Sequence, residues 1–64
     1  MCEARVVIQG PAGEEIEAIE DVTTIVPEGD GLKLYDLYGG HRVVPAAFKE
    51  VRLLDHTVIL TATE

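Results

Sequence analysis

Serine, a second cysteine and an excess of basic residues are all missing from this 64-residue chain, and each absence excludes a class of protein. With a single cysteine the chain cannot form an intrachain disulfide, and no cluster of His and Cys has the spacing of a structural zinc site. The chain offers no serine nucleophile, and its cysteine lacks an orienting partner at a recognisable spacing. We therefore expect a protein that is not an enzyme.

The shortage of basic residues limits the partners that the protein can have. Five basic residues against twelve acidic ones give a formal charge of −7, which disfavours phosphate backbones and anionic membranes. No apolar run approaches the ~18 residues that span a bilayer, and no signal-peptide pattern precedes the first apolar segment. The sequence predicts no nucleic-acid or membrane partner. Together with one unpaired thiol, these features predict a cytoplasmic protein.

Short length and high apolar content together predict association with a second copy. Residues 1–64 suffice for a single domain, whose folding costs about 100 kcal/mol of conformational entropy that a core of this size barely offsets. Hydrophobic residues make up 47% of the chain and aromatic residues only 5%, so Val, Ile, Leu and Ala exceed what one small core can bury. We expect a homodimer.

Apolar runs of strand length, separated by turn residues, predict an all-β fold. The turns are expected at residues 10–13, 27–31, 38–40 and 55–57, and the strands at residues 4–8, 14–19, 22–26, 32–37, 41–44, 48–54 and 58–62, the last two forming a closing hairpin. This spacing predicts a small antiparallel β-barrel or a rolled sheet of about five to six strands, SH3-like or Sm-like. Because "VVI" and "VILTA" are apolar on both faces, we expect a dimer interface to cover the outer face.

Cys2 is the residue best suited to carry chemistry, although a free cysteine is also often a small buried hydrophobe. If Met1 is retained, its amine, the Cys2 amide nitrogen and the thiolate can close two five-membered chelate rings around a metal. If Met1 is removed, the Cys2 amine and thiolate still form one ring. An amide–thiolate donor set favours square-planar Ni(II) or Cu(II) over Zn(II). Two such termini meeting at a two-fold axis would share one metal.

Two histidines and an acidic segment are weaker candidates. His41 begins a predicted strand and His56 lies in a predicted turn, where surface histidines are common; of the two, His41 is the better additional ligand because a loop tip can move. The acidic residues of the segment 14–21 are expected to solvate an exposed strand face, since the pattern of a dedicated calcium loop is absent.

The order and spacing of several fragments make the chain similar to a known family. After the "MC" start come "ARVVI", then "IEDVTTIVPEGDGLKLYDLYGG", and finally "FKEVRLLDHTVIL". Over nearly its whole length the chain resembles the CooT-like family of small nickel-binding proteins, which are associated with maturation of the nickel-containing carbon monoxide dehydrogenase. The resemblance implies a homodimeric small β-barrel with Ni(II) at the interface, bound by Cys2 of each subunit, and a role in nickel delivery or handling. We predict Cys2 and Met1 as the metal ligands.

Two alternative functions assign different roles to Cys2. In the first the cysteine contacts a client, and in the second it is incidental. Maturation chaperones of the HypC type share the "MC" start and use the cysteine to contact a client, but "EARVVIQG" lacks the proline-glycine step that follows their start. The other alternative is a metal-free interaction module whose apolar outer face docks on a nickel enzyme or a maturation partner.

Overall fold

The computed structural model describes residues 3–64, which form six β-strands joined by turns and no helix. The strands are β1 (Ala4–Gln9), β2 (Glu15–Glu28), β3 (Gly31–Asp36), β4 (His41–Val44), β5 (Ala46–Arg52) and β6 (Thr57–Ala62). Within the described range there is accordingly no helix long and apolar enough to cross a membrane. The prediction of an all-β fold of about six strands is confirmed.

All six strands belong to one sheet in the order β4-β3-β2-β1-β6-β5. Neighbouring strands are antiparallel except β1 and β6, which run parallel with Val6 beside Val58. The sheet is therefore mixed and open, and the prediction of a closed antiparallel barrel is wrong. Closure would require β4 to pair with β5, but Pro45 alone separates these strands, and the tightest common hairpin loop needs two residues.

The long strand β2 replaces two of the predicted runs. Residues 14–19 and 22–26 were expected to form separate strands, whereas the structure joins them in one strand of 14 residues. A residue with positive φ, Asp21 at 60°, lies between the two halves, and its carbonyl accepts a hydrogen bond from the Leu37 amide over 2.9 Å. The first half pairs with β1 and the second with β3. The irregularity at Asp21 bends the strand without ending it.

The predicted closing hairpin is present as β5 and β6. Its arms are shifted from the predicted residues 48–54 and 58–62 by one or two positions, within the usual uncertainty of strand ends. β5 contains a bulge between Phe48 and Glu50, so that the extra residue, Lys49, interrupts its ladder with β6. β4 begins at His41 and ends before Pro45, as the sequence predicts.

One face of the curved sheet buries the core. Val6, Val44 and Leu60 are the largest side chains among those almost wholly buried, and they come from a central strand, an edge strand and the closing hairpin. Since Ala4, Val6 and Ile8 alternate along β1, all three contribute to this face, as period-2 patterning predicts. The remaining members of the cluster are Val22, Leu32, Leu34, Ala46 and Val58.

The opposite face is already covered within one chain at its apolar centre. Val7 and Ile59 lie side by side on β1 and β6 and are 6% and 5% exposed. Hydrogen-bonded polar side chains flank them, with the Lys49 ammonium donating to Gln9 over 2.7 Å on one side. Long polar side chains can shield apolar surface with their aliphatic stems. Val7 of "VVI" and Ile59 of "VILTA" therefore need no dimer interface to bury them.

Candidate functional site

The predicted ligands Met1 and Cys2 lie outside the described residues, so the site is defined by what surrounds the first described residue. Glu3 directly follows Cys2 in the chain and leads into β1 at Ala4. Both residues line a groove at the end of the sheet where β1 and β6 begin and β5 ends. The described part of the chain therefore begins at this groove.

The groove is apolar in most of its lining and has a volume of about 320 Å³. Its apolar wall comes from β2, β5, β6 and the turn between β5 and β6, namely Val22, Ile25, Val51, Leu53 and Val58. Its charged or titratable lining consists of Glu3, Arg52 and His56. A lining of this kind suits an apolar side chain or an apolar segment better than a small polar ligand.

The turn that connects β5 to β6 forms one rim of the groove. Its backbone is fixed by a hydrogen bond from the His56 amide to the Leu53 carbonyl over 3.2 Å, and the Thr57 hydroxyl donates to the Asp55 carbonyl over 2.9 Å. His56 adopts φ = 50°, which closes the turn. As a result Leu53 and Leu54 project into solvent and are 81% and 97% exposed.

The start of β1 is held against this turn. The Arg5 amide donates a hydrogen bond to the His56 carbonyl over 2.8 Å, and Arg5 pairs with Thr57 in the parallel ladder. The Arg5 side chain donates to the Glu20 carboxylate over 2.9 Å. These contacts connect the residues next to Cys2 with three strands of the sheet, β1, β2 and β6.

Ion pairs set the charge around the groove. The Arg52 guanidinium lies 2.9 Å from the Glu50 carboxylate, and its hydrogen bonds hold the pKa of Glu50 below its ordinary value. The same pair raises the pKa of Arg52, with the hydrogen bond to Glu50 as the largest cause. Arg52 therefore remains a cation beside the groove at every physiological pH, in a chain whose formal charge is −7.

The structure brings His56, and not His41, into the groove with Glu3. His41 lies near the Tyr35 ring, with 6.0 Å between the ring centroids, and lines a different depression. The preference for His41 as an additional ligand thus has no geometric support among residues 3–64. The sequence ranked His56 below His41, and it could not place His56 beside the start of β1, because that position depends on the parallel pairing of β1 with β6.

The acidic segment is more structured than a solvated face. The Arg42 guanidinium donates two hydrogen bonds to the Glu17 carboxylate, over 2.5 and 2.6 Å, and these hydrogen bonds lower the pKa of Glu17. Glu14 accepts a hydrogen bond from the Ala12 amide over 2.9 Å. Within residues 3–64 no group of three or more Cys, His, Asp or Glu residues is arranged to hold a metal ion. The acidic segment therefore supports the fold through specific pairs.

The chain belongs to a class of small open β-sheet proteins with a cysteine in the sequence just ahead of the first strand. Comparison with known proteins identifies the family. The family model of the CO dehydrogenase accessory protein CooT matches residues 1–61, a range that includes Cys2. The chain belongs to the CooT family. The resemblance stated from the sequence is confirmed.

One solved structure and one further protein are similar to this chain. A crystal structure assigned as CooT from Carboxydothermus hydrogenoformans is 31% identical in sequence and superposes with a TM-score of 0.79, covering 98% of this chain and all of the other. A protein of Archaeoglobus fulgidus described as uncharacterized is 40% identical over 42 residues, which are 66% of this chain and 93% of that protein. Both the sheet and the sequence are thus shared with other proteins of similar size.

Proposed function

We propose that this chain is a nickel-binding accessory protein for carbon monoxide dehydrogenase, a homodimer that binds Ni(II) at its interface through Cys2. The observation that carries the proposal is the CooT match, which begins at residue 1 and therefore includes Cys2. In this function the metal is cargo that passes to a nickel enzyme. The protein supplies ligands, a frame that brings two termini together, and a surface that a client can contact.

The donor atoms that the sequence places at the N-terminus suit nickel. The thiol of Cys2 and the amine of Met1 have ordinary pKa values of about 8.5 and about 7.7–8.0, so a metal displaces their protons near neutral pH. The thiolate, the intervening amide nitrogen and the amine form a nitrogen–sulfur donor set, which favours a square-planar ion such as Ni(II). Thiolate ligation also makes the binding visible, because it produces charge-transfer absorption.

The absence of a metal cluster from residues 3–64 supports a ligand set drawn from the N-terminus. A square-planar ion takes four ligands, and two donors from each of two equivalent termini, the thiolate and one nitrogen, make up that number. This arrangement corresponds to one Ni(II) per two chains. The acidic surface favours this function because a formal charge of −7 raises the local concentration of divalent cations.

A nickel titration of the reduced protein, followed by absorption in the near-ultraviolet and visible range, tests the proposal. We expect a thiolate-to-nickel band that saturates at half an equivalent per chain and that is lost in Cys2→Ser. His41→Ala and His56→Ala are matched controls at the two other metal-capable side chains of the same chain, and both should keep the band. Nickel affinity in Cys2→Ser equal to that of the wild type would contradict the proposal.

A second candidate function is supported by the exposed turn at Leu53 and Leu54. Two adjacent leucines fixed in solvent are unusual on a free surface and are typical of contact sites. In this function the chain is a metal-free module, or a chaperone of the HypC kind, that contacts a nickel enzyme or a maturation partner through its apolar rim and Cys2. A protein that gives no nickel band, yet binds carbon monoxide dehydrogenase in a Leu54-dependent way, would support this candidate over the first.

A further inference from the structure

We infer that the open edge of β4 and the face beside it bind an extended, acidic segment of a partner protein, which adds to the sheet as a further strand. The side chains involved are Lys33, Tyr35, His41 and Val43, which together we call the β4 surface. None of these four residues lines the groove at the start of β1. The inference therefore goes beyond the proposed function and does not depend on nickel.

β4 is the edge strand that the fold leaves ready for another strand. It stands first in the sheet order, so one of its two sides has no partner strand among residues 3–64. Its ladder with β3 runs without a register shift through four consecutive pairs, from Leu32 with Val44 to Tyr35 with His41. A regular edge presents its free amide and carbonyl groups in the geometry that an added strand needs.

The other edge of the sheet is protected against such an addition. β5 contains the bulge at Lys49, and bulges and lysines on an edge strand disfavour pairing with a further strand. β4 has only four residues and is followed by Pro45, which lacks an amide donor, so an added ladder is short. Main-chain hydrogen bonds alone therefore give little affinity, and side chains must supply the rest.

One face of the β3–β4 pair presents the side chains that an added strand can contact. Lys33 pairs with Val43, Tyr35 pairs with His41, and both pairs lie on the face opposite to the buried Leu34. Val43 is 53% exposed although it is aliphatic. The ring centroids of Tyr35 and His41 are 6.0 Å apart. The apolar part of the β4 surface is therefore continuous across the two strands.

Lys33 determines the sign of the charge that this surface attracts. Its ammonium lies 5.3 Å from the centroid of the Tyr35 ring, and no carboxylate of residues 3–64 lies within ion-pair distance of it. The arginines, in contrast, are all paired with glutamates of the same chain; they are Arg5, Arg42 and Arg52. A carboxylate on an incoming strand gives Lys33 the partner that residues 3–64 do not provide.

The spacing of strands predicts which side chains the bound segment carries. Neighbouring strands lie about 4.8 Å apart, so an added strand would lie about 9.6 Å from β3, across β4. A glutamate and Lys33 together can bridge this distance, and their aliphatic stems would cover Val43. Because side chains alternate between the faces of a strand, we expect acidic residues at every second position of the segment.

A protein segment suits the β4 surface better than a nucleic acid or a second copy does. The formal charge of −7 repels a phosphate backbone, which carries a charge at every nucleotide, more strongly than it repels a segment with two or three carboxylates. A second copy that paired through β4 would bring His41 and Arg42 and no carboxylate, since "HRVV" contains no acidic residue. Neither occupant would neutralise Lys33 without a larger repulsive cost.

Two synthetic hexapeptides, titrated into the isotope-labelled, reduced protein and followed by its amide chemical shifts, test the inference. One peptide alternates valine and glutamate, and the matched control alternates valine and lysine. We expect the glutamate peptide to shift the amides of β3 and β4 and the lysine peptide to leave them unchanged. The formal charge of −7 by itself favours the lysine peptide, so the expected order requires a local cation. No shift at β4 with the glutamate peptide, or an equal shift with the lysine peptide, would overturn the inference.

Variants identify the residues that carry the binding. Lys33→Gln should weaken binding of the glutamate peptide by about 2- to 5-fold, the scale of one exposed ion pair, and Lys49→Gln on β5 is the matched control that should bind as the wild type does. Val43→Glu should weaken binding by at least about 10-fold, because it adds a carboxylate beside those of the peptide. Ile16→Glu is its control, since Ile16 is 57% exposed on β2. Equal effects within either pair of variants would contradict the assigned surface.

Two further results would assign the edge to a different occupant and overturn the inference. Shifts at β4 that appear on raising the protein concentration without peptide would assign it to a second copy. A thymidine oligonucleotide that shifts the same amides more strongly than the glutamate peptide at equal concentration would assign it to a nucleic acid. Lys33→Gln leaves Cys2 in place, so the nickel titration is independent of these results and the two proposals can fail separately.

Discussion

The Arg5 amide donates a hydrogen bond to the His56 carbonyl over 2.8 Å, and this single contact joins the first described strand to the turn that precedes the last one. It lies three residues after Cys2 and three residues after Leu53. The start of β1 and the turn before β6 are therefore held together directly. A change in the backbone of this turn should therefore lower the stability of the fold.

Replacing His56 tests how strongly the turn depends on its positive φ. At φ = 50° a β-branched side chain is strained, so His56→Val should lower the free energy of unfolding by about 1–3 kcal/mol. Glycine adopts this conformation without strain, so His56→Gly should lose less than about 1 kcal/mol. Urea denaturation at one fixed protein concentration measures both, and equal losses in the two variants would show that the backbone at residue 56 is not under this constraint.

Gly31 is predicted to tolerate no side chain. A Cβ atom placed there would lie 2.3 Å from the carbonyl oxygen of Val44, which is backbone of a paired strand and cannot move alone. Gly31→Ala should therefore destabilise the protein by about 1–3 kcal/mol through overpacking. The matched control is Gly10→Ala, where the added carbon meets only the flexible end of Glu14 and should cost less than about 1 kcal/mol. Thermal unfolding that ranks the two variants in the reverse order would contradict the local geometry.

The pair of Glu17 and Arg42 predicts a specific dependence on pH. Hydrogen bonds from Arg42 hold the pKa of Glu17 below its ordinary value, so the folded chain binds this proton more weakly than the unfolded chain does. The stabilisation is complete above the unfolded pKa of about 4.3 and is lost as pH falls through the lower folded value. Glu17→Gln should thus lower the urea midpoint at pH 7, and its effect should shrink as the pH falls below the unfolded pKa of Glu17.

Salt and a neighbouring carboxylate provide controls for the pH prediction. Because the pair is partly exposed, high salt should shrink the difference between wild type and Glu17→Gln at pH 7. Glu28→Gln removes an exposed carboxylate at the end of β2 for which residues 3–64 show no ion pair, and it should leave the midpoint nearly unchanged. A pH-independent loss in Glu17→Gln would mean that the side chain acts by packing and not by charge.

Local patterns were sufficient to predict most strands but not the order in which the strands pair in the sheet. Alternation along β1 and the turn before β6 are properties of neighbouring residues, and both were predicted correctly. The parallel contact of β1 with β6 joins segments about fifty residues apart, and no local signal specifies it. Period-2 patterning also does not reveal that Val7 and Ile59 are neighbours and are buried within one chain. For this reason the outer face was expected to need a partner.

Only part of the candidate site could be predicted from the sequence. Cys2 was identified from the chemistry of its own neighbours, and the CooT match supports the family that its position suggested. The groove beside it could not be predicted, since it is built from β2, β5, β6 and the turn at His56. His41 was preferred over His56 on mobility alone; in the structure it is the His56 carbonyl that contacts β1, through the Arg5 amide.

Native mass spectrometry of the nickel-loaded protein tests the central claim most directly, because it counts chains and metal ions in the same particle. We predict one nickel ion in a particle of two 6.9 kDa chains, and no bound nickel in Cys2→Ser prepared in parallel. Nickel bound to a single chain would contradict the shared site, and nickel retained by Cys2→Ser would contradict the role of the cysteine.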